Sequence, residues 1–139
     1  DKEVSANFVI SEKNLNIVKK AMAKVVNSEF GTAKNSQINS SKIKMAGKTG
    51  TVQVVRISEQ EREKGIIKNI DRVWKKRDHA LFVAFAPYDK PRYAISVLVE
   101  HGGSGSKSAA PIAKQVIKKV LEKHQLREKM SETGEGETA

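Results

Sequence analysis

Lys48, Thr49, Gly50 and Thr51 stand in an unbroken run inside Met45-Ala46-Gly47-Lys48-Thr49-Gly50-Thr51-Val52-Gln53-Val54-Val55. The lysine supplies a cation and the threonines supply hydroxyl donors. A glycine in a strand interior marks a place where a ligand or another backbone comes close. Ranged along one edge, this set can bind an extended peptide that ends in a carboxylate. Thr51, Val52, Val54 and Val55 are β-branched and suit a pleated, partly buried surface, so the run reads as a strand over about 44–56. The plain alternative is an ordinary strand with a solvated lysine. A phosphate-binding loop, G-x-x-x-x-G-K-[ST], does not fit. Its first glycine would fall at position 42, which is lysine, and the motif must open a helix where this sequence continues as strand.

The flanking elements follow from periodicity. Ser11 reads as an N-cap with Glu12 in the first turn, and Leu15, Val18, Met22, Val25 and Val26 recur at helical spacing. This predicts a helix over 12–27, packed by its aliphatic stripe and ended by Asn27 to Gly31. Residues 1–10, with Phe8, Val9 and Ile10, read as a short strand or docking arm, and 31–43 as a polar loop. Residues 57–78 are a charged insertion, long for a hairpin loop and of the kind that is usually functional or mobile. Its Trp74 beside Lys75, Lys76 and Arg77 reads as a local anchor rather than a base-stacking platform.

Ala80 to Ala86 is an apolar run of strand length, Pro87 to Pro91 is turn chemistry, and Tyr93 to Glu100 is the return strand, together an antiparallel hairpin. A glycine loop, 101–106, leads to a second helix over about 108–124, with Ala109, Ile112, Ala113, Val116, Ile117, Val120 and Leu121 at helical spacing and Pro111 in the first turn. Residues 127–139 have the composition of a disordered tail. The order predicts an α+β unit: three antiparallel strands flanked by N- and C-terminal helices.

Composition bounds the function. A chain of 139 residues can bury one core, but with 38% hydrophobic and 5% aromatic residues that core is aliphatic and modest. The 26 Lys+Arg against 16 Asp+Glu give a net charge of +10. The lysines are dispersed and no base-reading motif is present, which favours a solvated surface over specific nucleic-acid binding. A basic polyanion-binding module is the alternative reading of that charge. The absence of cysteine excludes disulfides and thiolate metal sites. No apolar run approaches membrane-spanning length and no signal peptide opens the chain. Asp1 is not a natural start, so the chain reads as a piece of something longer.

Gly47-Lys48-Thr49-Gly50-Thr51 resembles the K-T-G motif of penicillin-binding proteins and serine β-lactamases. The flanks extend the likeness. Asn27 with Gly31-Thr32-Ala33 resembles a V-N…G-T-A segment, Asp78-His79-Ala80 with Phe85-Ala86-Pro87-Tyr88-Asp89 and Pro91 a D-H-A…F-A-P-Y…P hairpin, and Val99-Glu100-His101-Gly102-Gly103 the segment after it. Over about 11–124 the chain is similar to elongation-type class B penicillin-binding proteins, penicillin-binding protein 2.

The resemblance implies a portion, residues 1–126, of a β-lactamase/transpeptidase-like domain. It implies a serine D,D-transpeptidase that cross-links peptidoglycan stem peptides ending in D-Ala-D-Ala, is acylated by β-lactam antibiotics, works with membrane-bound elongation-machinery proteins, and needs no cofactor or metal. It places the protein on the periplasmic face of the inner membrane, anchored outside this chain. It assigns Lys48 to a hydrogen-bond network with an S-x-N serine. It gives Thr49, Gly50 and Thr51 to the substrate or antibiotic, and the Thr51 N–H to one arm of the oxyanion hole. A non-enzymatic β-lactam sensor of the same fold is a further alternative.

The nucleophile expected by that resemblance lies upstream of the K-T-G strand, and this chain starts too late to hold it. Ser41-Lys42-Ile43-Lys44 and Ser104-Gly105-Ser106-Lys107 match S-x-x-K in letters, and Ser5-Ala6-Asn7 matches S-x-N. None is expected on a buried helix where the lysine would be desolvated enough to act as a base. His79, His101 and His124 are too scattered to suggest a metal site.

Overall fold

A computed structural model describes residues 10–40 and 43–132. The first ten residues apart from Ile10, the Ser41-Lys42 pair and residues 133–139 lie outside the described residues. So do the expectations that fell on them: most of the N-terminal arm, the S-x-N lookalike, the start of the first S-x-x-K lookalike and the end of the tail.

The architecture is helix α1 (Glu12–Asn27), strand β1 (Ala46–Val52), short helix α2 (Glu59–Lys64), strands β2 (His79–Ala86) and β3 (Tyr93–Val99), and helix α3 (Ala110–Glu132). The three strands form one antiparallel sheet in the order β1-β2-β3, so β1 is an edge. Single 3₁₀ turns at Lys34–Ser36, Asn69–Asp71 and Trp74–Lys76 punctuate the connections. A five-residue π turn, Gly105–Ala109, leads into α3.

One face of the sheet carries the core. Ala80, Phe82, Ala84 and Ala86 alternate along β2 and are buried. Facing them, α3 buries Ala110, Ala113, Ile117 and Leu121. Alanines on both sides let helix and sheet approach closely, and Phe82 fills the remaining volume. Its ring lies across Gly47, where a Cβ would overlap it and stand 2.8 Å from the Val83 carbonyl oxygen.

Helix α1 starts as expected, with Ser11 Oγ accepting the Asn14 N–H at 3.3 Å. Its packing is narrower than its stripe. Val26 is fully buried, whereas Leu15 and Val18 are 46% and 54% exposed. The helix makes its main contacts with β1 and the following 3₁₀ turn, so only its C-terminal end reaches the sheet. Asn27 secures that end: its Nδ2 donates to Ala23 O and to Met45 O, each at 2.8 Å. Gly31 packs against the helix's last carbonyls, where a Cβ would stand 2.6 Å from Lys24 O.

Two boundaries need correction. The first strand was expected over 44–56 and spans Ala46–Val52. Val52 already pairs with His79, the first residue of β2, so beyond it β1 has no ladder partner. The last helix was expected to end near 124 but runs to Glu132. Residues 127–132, assigned to a disordered tail by composition, are therefore helical. Arg92 Nη1 donates to Glu128 Oε1 at 2.8 Å, tying this extension to the lead-in of β3. Within the insertion, α2 is capped by Ser58 Oγ, which accepts the Glu61 N–H at 3.1 Å, and Glu61 pairs with Arg72.

The candidate active-site edge

Strand alternation divides the four residues of interest. Residues paired across a ladder share a face. Thr49 pairs with Phe82 and Thr51 with Ala80, so both threonines lie on the helix-covered face. Lys48 pairs with Val83 and Gly50 with Leu81, on the opposite face, where Val52, Val83 and Leu98 are exposed. The lysine and the threonines therefore converge only at the outer edge of β1, which has no strand partner among the described residues.

Backbone directions along that edge follow from two contacts. Gly105 lies against the Gly50–Leu81 pair, with a Cβ position 2.7 Å from Gly50 O and 3.1 Å from Gly50 N and closest of all to Leu81 O. The Gly50 amide and carbonyl thus sit beside Leu81, turned toward β2. Thr49 O is free of β2 and accepts Lys48 Nζ at 2.7 Å. Residues two apart in a strand present their backbone groups the same way. The N–H and C=O of Thr51 accordingly face outward with those of Thr49. Thr51 is exposed and Thr49 half-buried, so both are open to a ligand from the edge.

Beyond the strand, Asp78 binds three segments together. Its carboxylate accepts the Val54 N–H at 3.1 Å and Asn69 Nδ2 at 3.2 Å. Its own N–H donates to Asn69 Oδ1 at 3.0 Å, and its carbonyl accepts the Gly103 N–H at 2.9 Å. One aspartate thus joins the exit of β1, the insertion and the glycine loop. Sequence reasoning noted Asp78 only as part of a motif; the signal was a turn-forming acid placed directly before a strand. A cavity of about 380 Å³ opens beside this clasp, with Thr51, Asn69, Arg72 and Asp78 in its wall.

The histidines at this end pair with each other. His79 Nδ1 accepts the His101 N–H at 2.9 Å, and His101 Nδ1 lies 2.9 Å from Arg77 O. His101 has a φ of 54°, and Trp74 meets its ring edge-on at a centroid distance of 4.7 Å. Trp74 thus has His101 as a ring partner while 57% of it stays exposed.

Ser104, the first residue of the second S-x-x-K lookalike, has the Ser106 hydroxyl for a partner at 3.1 Å, and Lys107 is exposed. Neither provides the buried serine–lysine pair that acylation chemistry requires.

Comparison with known proteins agrees with the geometry. The family model described as the penicillin binding protein transpeptidase domain matches residues 1–118. The peptidoglycan D,D-transpeptidase MrdA of Haemophilus influenzae is 38% identical over 101 residues, covering 71% of this chain and 14% of that protein. Two solved structures are similar in fold. Helicobacter pylori PBP2 in complex with MreC has a TM-score of 0.63 at 37% identity, over 79% of this chain and 17% of that one. Pseudomonas aeruginosa PBP2 in complex with WCK 5153 has a TM-score of 0.60 at 38% identity, over 78% and 20%. The chain thus spans a small part of the relatives it matches, and it carries their β-lactamase/transpeptidase-like fold. It belongs to the penicillin-binding protein transpeptidase family, with its relatives among PBP2.

Proposed function

We propose that this chain forms the K-T-G wall of a serine D,D-transpeptidase that cross-links peptidoglycan, in a longer protein that supplies the nucleophile. The observation that carries the reading is the outer edge of β1, where the Thr51 N–H faces outward with no strand partner among the described residues.

In this mechanism a serine attacks the carbonyl of a stem peptide's penultimate residue, the C–N bond breaks, and the terminal amino acid leaves as the serine becomes acylated. An amine of a second stem peptide then displaces the serine and forms the cross-link. The Thr51 N–H stabilises the oxyanion of each tetrahedral intermediate. The Thr49 and Thr51 hydroxyls hold the terminal carboxylate. Gly50 keeps the edge free of a side chain, and Lys48 contributes positive charge and a donor to the serine network from the open face. A β-lactam follows the first step and stops at the acyl-enzyme.

The same proposal puts the protein outside the cytoplasm, at the inner membrane, with elongation-machinery partners of the kind seen with the Helicobacter pylori relative. Among the described residues no helix is long and apolar enough to cross a membrane.

The test is intact-mass measurement after incubation with a reporter penicillin. The full-length protein is expected to gain one adduct on a serine outside these 139 residues, and the chain alone to gain none. A stoichiometric adduct on Ser41 or Ser104 would overturn the assignment.

A further inference from the structure

A second cavity, of about 480 Å³, lies between the insertion and the glycine loop, and its charge is one-sided. Lys68, Arg77 and Lys107 line it, and no acidic residue does. Arg77 is fixed in place, its Nε donating to Arg72 O and its Nη2 to Ile70 O, each at 3.0 Å. Lys68 and Lys107 have neither a hydrogen-bonded nor an ion-paired side-chain partner among the described residues. Asp78, the nearest acid of the clasp, has its carboxylate occupied by Val54 and Asn69 and lines the neighbouring cavity instead.

The hydroxyls match this charge. Ser104 lines the cavity and Ser106 does not; when the Ser104 hydroxyl accepts from Ser106 at 3.1 Å, its own O–H is free to donate into the cavity. Ser108 is already committed, donating to Gly102 O at 2.6 Å.

Three cations gathered in a concavity repel one another, whereas lysines spread on a convex helix are separately solvated. A buried or bound anion removes that repulsion. Lys68 and Asn69 are walls of both cavities, and Thr51 lines the first. A peptide that leaves the edge of β1 past Thr51 therefore meets Lys68 next.

We propose that this basic cavity is a subsite for a second carboxylate on the peptide bound along β1, held by the Lys68 and Lys107 ammonium groups and the Ser104 hydroxyl. The inference rests on β1 being the substrate edge, and it adds a preference for acidic over amidated peptides.

The test is calorimetric titration of the full-length protein with two peptides. Both end in the same free carboxylate; one carries a side-chain carboxylate and the other the corresponding carboxamide. The acidic peptide is expected to bind a few-fold more tightly, up to about fivefold, as one screened charge contact allows. The gap should close in a Lys68→Ala/Lys107→Ala variant and narrow as salt rises. Both lysines are exposed, so the variant should fold, which circular dichroism checks. Equal affinities in the unmodified protein, or a gap that survives the double substitution, would overturn the subsite while leaving the role of β1 intact. If neither peptide binds, the reading of β1 fails and takes the subsite with it. Millimolar inorganic phosphate that abolishes the preference without weakening the amidated peptide supports the site. Phosphate binding to a protein that shows no peptide preference makes it a free-anion site and overturns the proposal.

Discussion

Gly105 rests on the backbone of Gly50, two strand-edge and loop residues separated by the whole β2–β3 hairpin. A Cβ on Gly105 would press on Gly50 O at 2.7 Å and on Gly50 N at 3.1 Å. These are ladder atoms and cannot swing aside as the end of a flexible side chain can. Gly105→Ala should therefore destabilise the protein by about 1–3 kcal/mol and push β1 away from the start of α3. Urea unfolding measures the first effect and the acylation rate of the full-length protein the second. An unchanged midpoint would mean that the glycine loop yields easily.

The Asp78 clasp gives a graded prediction. Asp78→Ala removes the acceptor for the Val54 N–H and for Asn69 Nδ2 and should cost about 1–2 kcal/mol. Asp78→Asn keeps one carbonyl oxygen in place and should cost less. Chemical denaturation ranks the two. Hydrogen exchange should show faster loss of protection at Val54 in the alanine variant, and equal protection there in all three proteins would refute the clasp.

Three substitutions in the full-length protein test the division of labour along β1. Thr49→Val keeps shape and strand propensity but removes a donor to a carboxylate, a loss of about 1.5–3 kcal/mol, or roughly ten- to a hundredfold in acylation rate. Thr51→Val should cost less than Lys48→Ala, because the Thr51 N–H survives the change. Lys48→Ala removes a cation from groups that act as a unit and should be the most damaging of the three. A folded Lys48→Ala protein that acylates at nearly the parent rate would refute the role given to this strand.

The junction of α3 with β3 predicts an acid dependence. The hydrogen bond from Arg92 holds the Glu128 carboxyl below the ordinary glutamate range; partial desolvation opposes this, while the charge of Arg92 and the neighbouring His124 assist. The folded pKa lies below the unfolded one. The stabilisation is therefore complete above the unfolded value, about 4.3, and is lost as pH falls through the lower folded value. The pair is exposed and screened, so the effect is small. Urea midpoints measured from pH 6 down to pH 3 should show a shallower acid decline in Glu128→Gln than in the parent.

Periodicity made most of the architecture legible. The strand at Ala80–Ala86 and its return, and the helix after Ser11, lie where alternating or helical spacing put them, and the K-T-G run is on a strand. The boundaries that moved are those set by partners distant in sequence. Val52 ends β1 because β2 begins at His79, and α3 outlasts its apolar stripe with Arg92 waiting at Glu128. The exposure of Leu15 and Val18 was equally illegible, since an amphipathic pattern shows which face is apolar and not how far a sheet extends beneath it. The clasp was hidden for the same reason: Asp78 and Val54 are adjacent in space and 24 residues apart in the chain.

A strand edge kept open for a ligand is equally open to another copy of itself, and unpaired edges are where sheets join into aggregates. Lys48 stands exposed in the middle of β1, its ammonium group folded back onto Thr49 O. Two such edges meeting antiparallel about this point would bring two lysines together and hold them there. The residue proposed to assist chemistry would thus also oppose self-association of the edge, and removing its charge would take away both roles at once.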